Sequence, residues 1–300
     1  MGAFTFVPIW VIEDILIYLV GIATTLFILK CEEQPVSRLF ELLAFCTCYA
    51  AVYENFATLM GWYGYGRSIL MLFNVPASIP LVEYLVVYST LRLLEGTTMP
   101  PWAKPFVVGL SGMVFDFSLD PVALRQVFPT SEGRIGRWSW FPGATDAQIC
   151  GEPVYNFSGW VLLCGLAAAA FLLGREWHRR SGYRWSVGIA YPFAAMIAAL
   201  AILVSPLSRF LLWLWPFMEK GSAAEWIMLA VDGGIGLLFL ALFFRRKGGR
   251  DLSLGAEPTI YLVLALLPAT NLIACIGGGF WDVLWLVTLA AFLEAGFVIA

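Results

Sequence analysis

The chain has 300 residues, of which 60% are hydrophobic and only 13% are charged, and its mean hydropathy is +0.81. A soluble domain normally carries about 25% charged residues, so this composition excludes an ordinary soluble protein. The net charge of −3 and the lack of a long basic run exclude a nucleic-acid partner. We therefore expect a single integral membrane domain over residues 1–300, an all-α polytopic transmembrane helical bundle in contact with membrane lipid.

Eight or nine membrane spans are predicted, because a spanning helix needs about 17–25 mainly apolar residues. In chain order the candidate segments are 7–30, 39–61, 79–96, 103–125, 158–176, 185–204, 223–244, 256–276 and 280–299. Residues 62–78 predict a re-entrant or interfacial segment, and residues 206–218 are too short to span and predict an interfacial aromatic helix. The longest polar and aromatic interval, 126–157, is expected to fold as a lid over one end of the bundle.

The basic residues predict an orientation. Twelve of the 18 lysines and arginines lie near the odd-numbered connections between these segments, most clearly in REWHRR and RRKGGR. Positive charges favour the cytoplasmic side, so the N-terminus is expected outside and the C-terminus in the cytoplasm. The membrane expected is the plasma membrane of a prokaryote.

Two aspartates, Asp116 and Asp120, lie inside the fourth apolar segment. A charged side chain at mid-bilayer depth costs roughly 2.5–3.5 kcal/mol on insertion scales, so such residues are functional candidates. In a continuous helix the i, i+4 spacing places their Cβ atoms about 5–6 Å apart on one face. Two carboxylates so close in a low dielectric do not both ionise readily. The pair therefore predicts one acid and one base, the arrangement that proton transfer requires.

A structural interpretation of the same residues stays open. Asp120 followed by Pro121 is typical of a helix N-cap with proline at the first helical position, which predicts a helix break and a new helix at PVALRQVF. Arg125 would then pair with a carboxylate, and Asp116 would be part of a buried ion pair. Broken helices often line cavities, so the two interpretations are compatible.

Glu54 and Glu83 are further acids near segment ends, and Arg67 lies between them in the sequence. A buried pair of Arg67 with either glutamate is the structural alternative to a functional role. Nearby aromatic residues form either an interfacial belt or the wall of an apolar pocket that stabilises a cation: Tyr53, Trp62, Tyr63, Tyr65, Trp138, Trp140 and Tyr155.

Several kinds of membrane enzyme are excluded by what the sequence lacks. There is one histidine, His178, so a histidine-rich di-iron site is excluded, and no HExxH motif or Ser-His-Asp set occurs. The six cysteines form no CxxC pair. We expect no metal site and no cofactor.

The motifs MVFDFSLDPVALR, RWSW and GEPVYNFSGW together resemble those of the carotenoid biosynthesis protein family. The residues that carry the resemblance are Asp116, Asp120, Pro121, Val122, Ala123, Trp138, Trp140, Pro153, Asn156 and Trp160. YENFATLMGWYGYG and NVPASIPLVEY resemble upstream motifs of the family, although Glu83 stands where an aromatic residue is expected. The resemblance covers about residues 50–165, and the spans after about 220 exceed the usual family length.

The resemblance implies a hydratase of the kind that acts on γ-carotene or on the C50 precursor of bacterioruberin. It implies that Asp116 or Asp120 donates a proton to a terminal alkene, and that the partner carboxylate or Glu54 deprotonates water. The implied substrate-binding set is Tyr63, Tyr65, Arg67, Glu83, Trp138, Trp140, Tyr155, Asn156 and Trp160. Two alternatives remain: a non-catalytic carotenoid-binding or structural subunit of a larger membrane complex, and a proton-coupled carrier.

Overall fold

The computed structural model describes residues 8–130, 133–207, 223–248 and 251–299. Within them, nine helices overlap the nine predicted segments. The helices are α1 Ile9–Cys31, α2 Pro35–Leu59, α3 Ser78–Glu95, α4 Lys104–Ala123, α5 Val154–Arg180, α6 Trp185–Leu203, α7 Ala223–Phe243, α8 Pro258–Gly278 and α9 Leu284–Ile299. Seven of them, all except α3 and α9, are long and apolar enough to cross a membrane. The all-α polytopic membrane architecture predicted from the sequence is confirmed.

The predicted interfacial aromatic helix at 206–218 lies almost entirely outside the described residues. The predicted segment 62–78 is not helical before Ser78, where α3 begins, and it forms the short strands β1 Tyr63–Tyr65, β2 Met71–Leu72 and β3 Val75–Pro76. The interval between α4 and α5 forms β4 Val127–Thr130, β5 Gly133–Gly136, β6 Trp138–Trp140, β7 Gln148–Ile149 and β8 Glu152–Pro153. All pairings between these strands are antiparallel.

Helix α4 is the central helix of the bundle, packed against α3, α5, α7, α8 and α9. It approaches α5 closely because Gly109 and Gly112 face that helix. A Cβ at Gly109 would lie 2.5 Å from the Val161 carbonyl oxygen, and one at Gly112 would lie 2.6 Å from Cys164 Sγ. Small residues permit this backbone approach between membrane helices. The helix that carries both aspartates is thereby enclosed on nearly every side.

The predicted helix break at Pro121 is wrong. Helix α4 continues through Pro121 to Ala123, so Asp120 lies within the helix and does not cap a new one. Pro121 lacks an N–H, but its own carbonyl accepts a hydrogen bond from Arg125 Nη1 (2.9 Å), and the Asp120 carbonyl accepts one from the Leu124 N–H (2.9 Å). Packing on several helices therefore overrides the local N-cap signal. Arg125 pairs with the exposed Asp282, not with either aspartate of α4.

At the opposite end of the bundle from β1 and β6, buried ion pairs connect distant helices. Glu41 of α2 is wholly buried and accepts two hydrogen bonds from Arg175 of α5, at 2.8 and 2.9 Å. Arg38 Nη1 (2.9 Å) and the Tyr191 hydroxyl (2.6 Å) also donate to Glu41. Arg92 of α3 binds Glu257, just before α8, in the same region. These contacts fix the relative positions of the helices at this end.

Candidate functional site

Five buried carboxyl groups converge where α2, α3, α4 and the start of α5 meet the strands. They come from three helices and from β8, and each is at most 5% exposed: Glu54, Glu83, Asp116, Asp120 and Glu152. We call these five residues the acid cluster. Four of them were identified from the sequence, and the structure brings those four together.

Glu152 is the member that the sequence did not identify as a site residue. It lies in β8, four residues before Asn156, and its side chain is wholly buried. The Asn156 amide nitrogen donates to Glu152, to Asp116 Oδ2 (2.9 Å) and to Asp120 Oδ2 (3.4 Å). The i, i+4 spacing of Glu152 and Asn156 across the start of a helix was the available signal. An acid in a polar connection is usually solvated, which concealed it.

The two aspartates differ in their surroundings. Asp120 Oδ2 accepts hydrogen bonds from Trp140 Nε1 (3.3 Å) and from Asn156 (3.4 Å), and the cationic Arg137 is near enough to interact with it electrostatically. Asp116 accepts one hydrogen bond from Asn156 and also contacts the carboxyl groups of Asp120 and Glu152, and its buried Oδ1 has no other partner among the described residues. Donors and positive charge stabilise a carboxylate, whereas burial without them favours the neutral acid.

Two tyrosine hydroxyls hold Glu54. Tyr63 Oη donates to Glu54 Oε2 at 2.8 Å, and Tyr65 Oη donates to the same oxygen. Burial first, and then the negative charge of Glu54, raises the pKa of both tyrosines well above the ordinary value. The hydroxyls therefore remain protonated donors at all physiological pH values.

Strand pairing places the aromatic residues over the acid cluster. β1 pairs with β6 so that Tyr63 lies opposite Trp140 and Tyr65 lies opposite Trp138. The ring centroids are 4.5 Å apart in the first pair and 5.5 Å apart in the second. Tyr155 contacts Trp140 edge-on at 6.4 Å. Of the two interpretations of these aromatic residues, the geometry supports the pocket wall.

Arg137 fastens this aromatic strand to α1. It is 3% exposed, and its guanidinium pairs with Glu13 and lies 3.6 Å from Asp14. Gln126 Nε2 also donates to Glu13 (2.6 Å), and the Asp14 carboxylate accepts a hydrogen bond from Ser78 (2.9 Å). The acids at the start of α1 thus act as the counter-ions of the strand region that covers the acid cluster.

Arg67 does not form the predicted buried ion pair with Glu54 or Glu83. Its side chain is exposed, and no ion pair among the described residues joins it to Glu54 or Glu83. Instead its backbone carbonyl accepts a hydrogen bond from Trp10 Nε1 (3.2 Å). The loop after β1 leaves the Arg67 side chain exposed, so Arg67 does not contact Glu54 or Glu83 although it lies between them in the sequence. Trp160, by contrast, lines the same small cavity as Glu54 and Asp120.

Asp116, Asp120 and Glu152 each place one carboxylate oxygen within 4.8 Å of the others, a spacing from which a metal ion could be held. As oriented in the structure, the Asn156 amide nitrogen donates to all three groups. These three carboxyl groups thus already share one hydrogen-bond donor. Protonation of part of the acid cluster offers the same relief of negative charge, and we derive no metal chemistry from these residues.

A larger cavity of about 1030 Å³ opens at the opposite end of the bundle. Its lining includes Arg38, Arg92 and Arg175, and these arginines are already paired with glutamates. Its charges therefore neutralise one another. The acid cluster is the stronger candidate for chemistry, because its carboxyl groups lack such partners.

Glu152 provides a pH test of the acid cluster, since it lies outside the spanning helices. Burial, followed by the charges of Asp120 and Asp116, raises the pKa of Glu152 well above its usual range. Above an unfolded-state pKa of about 4.3, the unfolded chain releases this proton while the folded protein keeps it. The contribution of Glu152 to stability is therefore complete below that pH and falls as pH rises through the folded pKa.

We expect the Glu152→Gln variant to lose this pH dependence. Compared with wild type, it should gain thermal stability between pH 5 and pH 8, because glutamine needs no proton and its carbonyl can still accept from Asn156. Thermal unfolding of the detergent-purified proteins measures the difference in slope, with Asp251→Asn, an exposed acid, as the control. Equal slopes for wild type and Glu152→Gln would contradict the buried, protonated state of this residue.

The fold and the site together define a class: an integral membrane protein with a buried, aromatic-walled cluster of carboxyl groups at one end of a helical bundle. The chain belongs to the carotenoid biosynthesis protein family, whose profile matches residues 14–215, about two thirds of the sequence. The match contains the whole acid cluster and ends before α7. No curated protein and no solved structure matches the chain significantly.

Proposed function

We propose that this protein is a hydratase that adds water to a terminal double bond of an acyclic or monocyclic carotenoid by acid catalysis. The observation that carries the proposal is the acid cluster itself, buried beneath an aromatic wall in a member of a carotenoid biosynthesis family. Hydration of a trisubstituted alkene needs a proton donor, shelter for a tertiary cation, and a water molecule. Each of these needs has a candidate group in the site.

The proton donor is Asp116. Its environment, with one hydrogen-bond donor and a buried oxygen without a partner, favours the protonated acid. Asp120, held by Trp140, Asn156 and the charge of Arg137, is the ionised member of the pair. Donation from Asp116 to the alkene creates a tertiary cation beside the carboxylate of Asp120. General acid catalysis of this kind typically contributes about 10²–10⁴-fold in rate.

The aromatic rings of Tyr63, Tyr65, Trp138 and Trp140 shelter the cation. Ring faces attract positive charge. The rings also exclude bulk water, which would otherwise react with the cation at any exposed position. The polyene tail extends between helices toward the lipid. The cavity at the acid cluster measures about 30 Å³, so binding of the alkene requires this aromatic wall to move aside.

The proposed orientation has the N-terminus outside and the C-terminus in the cytoplasm of a prokaryotic plasma membrane, on the distribution of basic residues. The acid cluster then faces the outer side, and the ion pairs around Glu41 face the cytoplasm. A cysteine-accessibility experiment on Arg67→Cys and Arg184→Cys in intact cells tests this. We expect an impermeant reagent to label position 67 in preference to position 184. Preferential labelling of position 184 would show that the orientation is the opposite of the one proposed.

The function is tested by expressing the chain in cells that accumulate an acyclic carotenoid. We expect the pigment extract to contain a product whose mass is higher by one water. Its new hydroxyl group should lie on the terminal branched carbon. The absence of this product, with the protein present in the membrane, contradicts the proposal. Copurification of a stoichiometric partner without turnover would then favour the non-catalytic subunit.

A further inference from the structure

The small cavity at the acid cluster has the size of a water molecule. Its volume is about 30 Å³, which is roughly the volume that one molecule occupies in liquid water, and about 10–15 Å³ is the minimum that can hold one. It is lined by side chains from α2, α3, α4, α5, β1 and β6, among them Glu54, Glu83, Asp120, Trp138 and Trp140. A buried water also needs two to four polar partners.

Two side chains that line this cavity contain buried polar atoms with no hydrogen-bond partner. They are the donor Trp138 Nε1 and the acceptor Glu83 Oε2, on residues that are 5% and 1% exposed. Buried polar atoms are almost always paired in folded proteins. A water molecule can accept from an N–H and donate to a carboxylate oxygen, so a water in this shared cavity offers the missing partner to each atom.

The other polar residues around the cavity are already engaged. Glu54 Oε2 accepts from two tyrosine hydroxyls. Asp120 accepts from Trp140 and Asn156. Glu83 shares a side-chain hydrogen bond with Glu54, the residue that the sequence suggested as the base. The Oε2 atom of Glu83 has no partner among the described residues and is the carboxyl oxygen left to bind a water.

We propose that Glu83 and Trp138 bind the attacking water, and that Glu83 is the catalytic base of the hydration. This rests on the proposed function. When Asp116 has protonated the alkene, a lone pair of the water oxygen forms the C–O bond to the tertiary cation. The resulting oxonium loses a proton to the Glu83 carboxylate, giving the tertiary alcohol. Return of that proton from Glu83 to Asp116 completes the cycle, so the net change is the addition of one water.

The proposal separates two steps that can be measured independently. In D₂O, Asp116 exchanges its proton for deuterium and delivers it to the alkene. If the cation loses a proton to Asp116 before water adds, the recovered carotenoid retains deuterium. Deuterium in recovered substrate therefore reports protonation, and the alcohol reports water addition.

The test uses the purified full chain with an acyclic carotenoid in D₂O, and compares Glu83→Gln, Trp138→Phe and Asp116→Asn with wild type. We expect Glu83→Gln to lower alcohol formation at least about 100-fold, while deuterium incorporation into recovered substrate persists. Trp138→Phe, which keeps a ring but removes the N–H, should lower alcohol formation roughly tenfold, as for the loss of one hydrogen bond. Asp116→Asn should abolish both signals. Asp232→Asn, a membrane acid outside the cluster, should retain both.

Each outcome has a distinct meaning. If Glu83→Gln forms the alcohol at the wild-type rate, Glu83 is not the base. The same conclusion follows if Glu83→Gln unfolds at the wild-type temperature but loses both alcohol formation and deuterium incorporation into recovered substrate. Unchanged alcohol formation by Trp138→Phe overturns the water site. Normal activity of Asp116→Asn, or no turnover by wild type, rejects the proposed function instead.

Discussion

Replacement of Asp116 by asparagine is expected to lower carotenoid hydration at least about 100-fold, with little effect on folding. Asparagine preserves the shape of the side chain but has no acidic proton to transfer, and a positioned general acid is worth about 10²–10⁴-fold. The wholly buried position of Asp116 within α4 means that an uncharged substitute needs no compensating ion. Initial rates of alcohol formation in detergent or liposomes measure the effect.

Asp232→Asn is the matched control, because Asp232 lies in another membrane helix, α7, outside the acid cluster. It should hydrate at the wild-type rate. Equal activity of Asp116→Asn and Asp232→Asn would show that Asp116 is not the proton donor. Equal loss in both variants would indicate a general sensitivity of the bundle to the removal of membrane acids.

The largest effect on stability is expected from Arg175→Leu. Glu41 is wholly buried and depends on Arg175 for two of its four hydrogen bonds, with Arg38 and Tyr191 supplying the others. Removal of one partner of a buried ion pair costs about 3–5 kcal/mol when the other charge is left uncompensated. Arg38 still pairs with Glu41 in this variant, so we expect a loss near the lower end of that range. A lower unfolding temperature and reduced yield of folded protein should follow.

The double variant Arg175→Leu/Glu41→Gln provides the control for this prediction. Glutamine removes the buried charge that has lost one of its two arginine partners and can still accept from Tyr191, so the double variant should recover part of the lost stability. If the double variant is no more stable than Arg175→Leu, the loss comes from the arginine's packing rather than from the buried charge.

The membrane architecture could be predicted from the sequence because its signal is local. The apolar runs 185–204 and 223–244 became helices within one residue of the predicted bounds, whereas the bounds of 158–176 and 280–299 differ by four residues at one or both ends. Two charges in one apolar helix likewise pointed directly to Asp116 and Asp120. Both inferences depend only on the cost of polar groups in a bilayer.

Long-range placement could not be predicted in the same way. The pairing of Tyr65 with Trp138 depends on a strand register between segments far apart in the chain, and no sequence pattern specifies it. Glu152 was overlooked because the burial of an acid in the connection between α4 and α5 depends on which distant residues pack over it, and the sequence does not specify these contacts. The predicted helix break at Pro121 and the predicted ion pair of Arg67 were wrong for the same reason, since tertiary packing around α4 and the path of the loop after β1 override the local signals.

The central claim is that buried carboxyl groups in this protein add the elements of water to a terminal alkene. It is tested most directly by incubating the purified chain with an acyclic carotenoid in ¹⁸O-labelled water and locating the label by mass spectrometry. We predict a tertiary alcohol that carries one ¹⁸O at the terminal branched carbon, and its formation should disappear in Asp116→Asn. Recovery of unchanged carotenoid, or of a product whose oxygen does not come from water, would contradict the account.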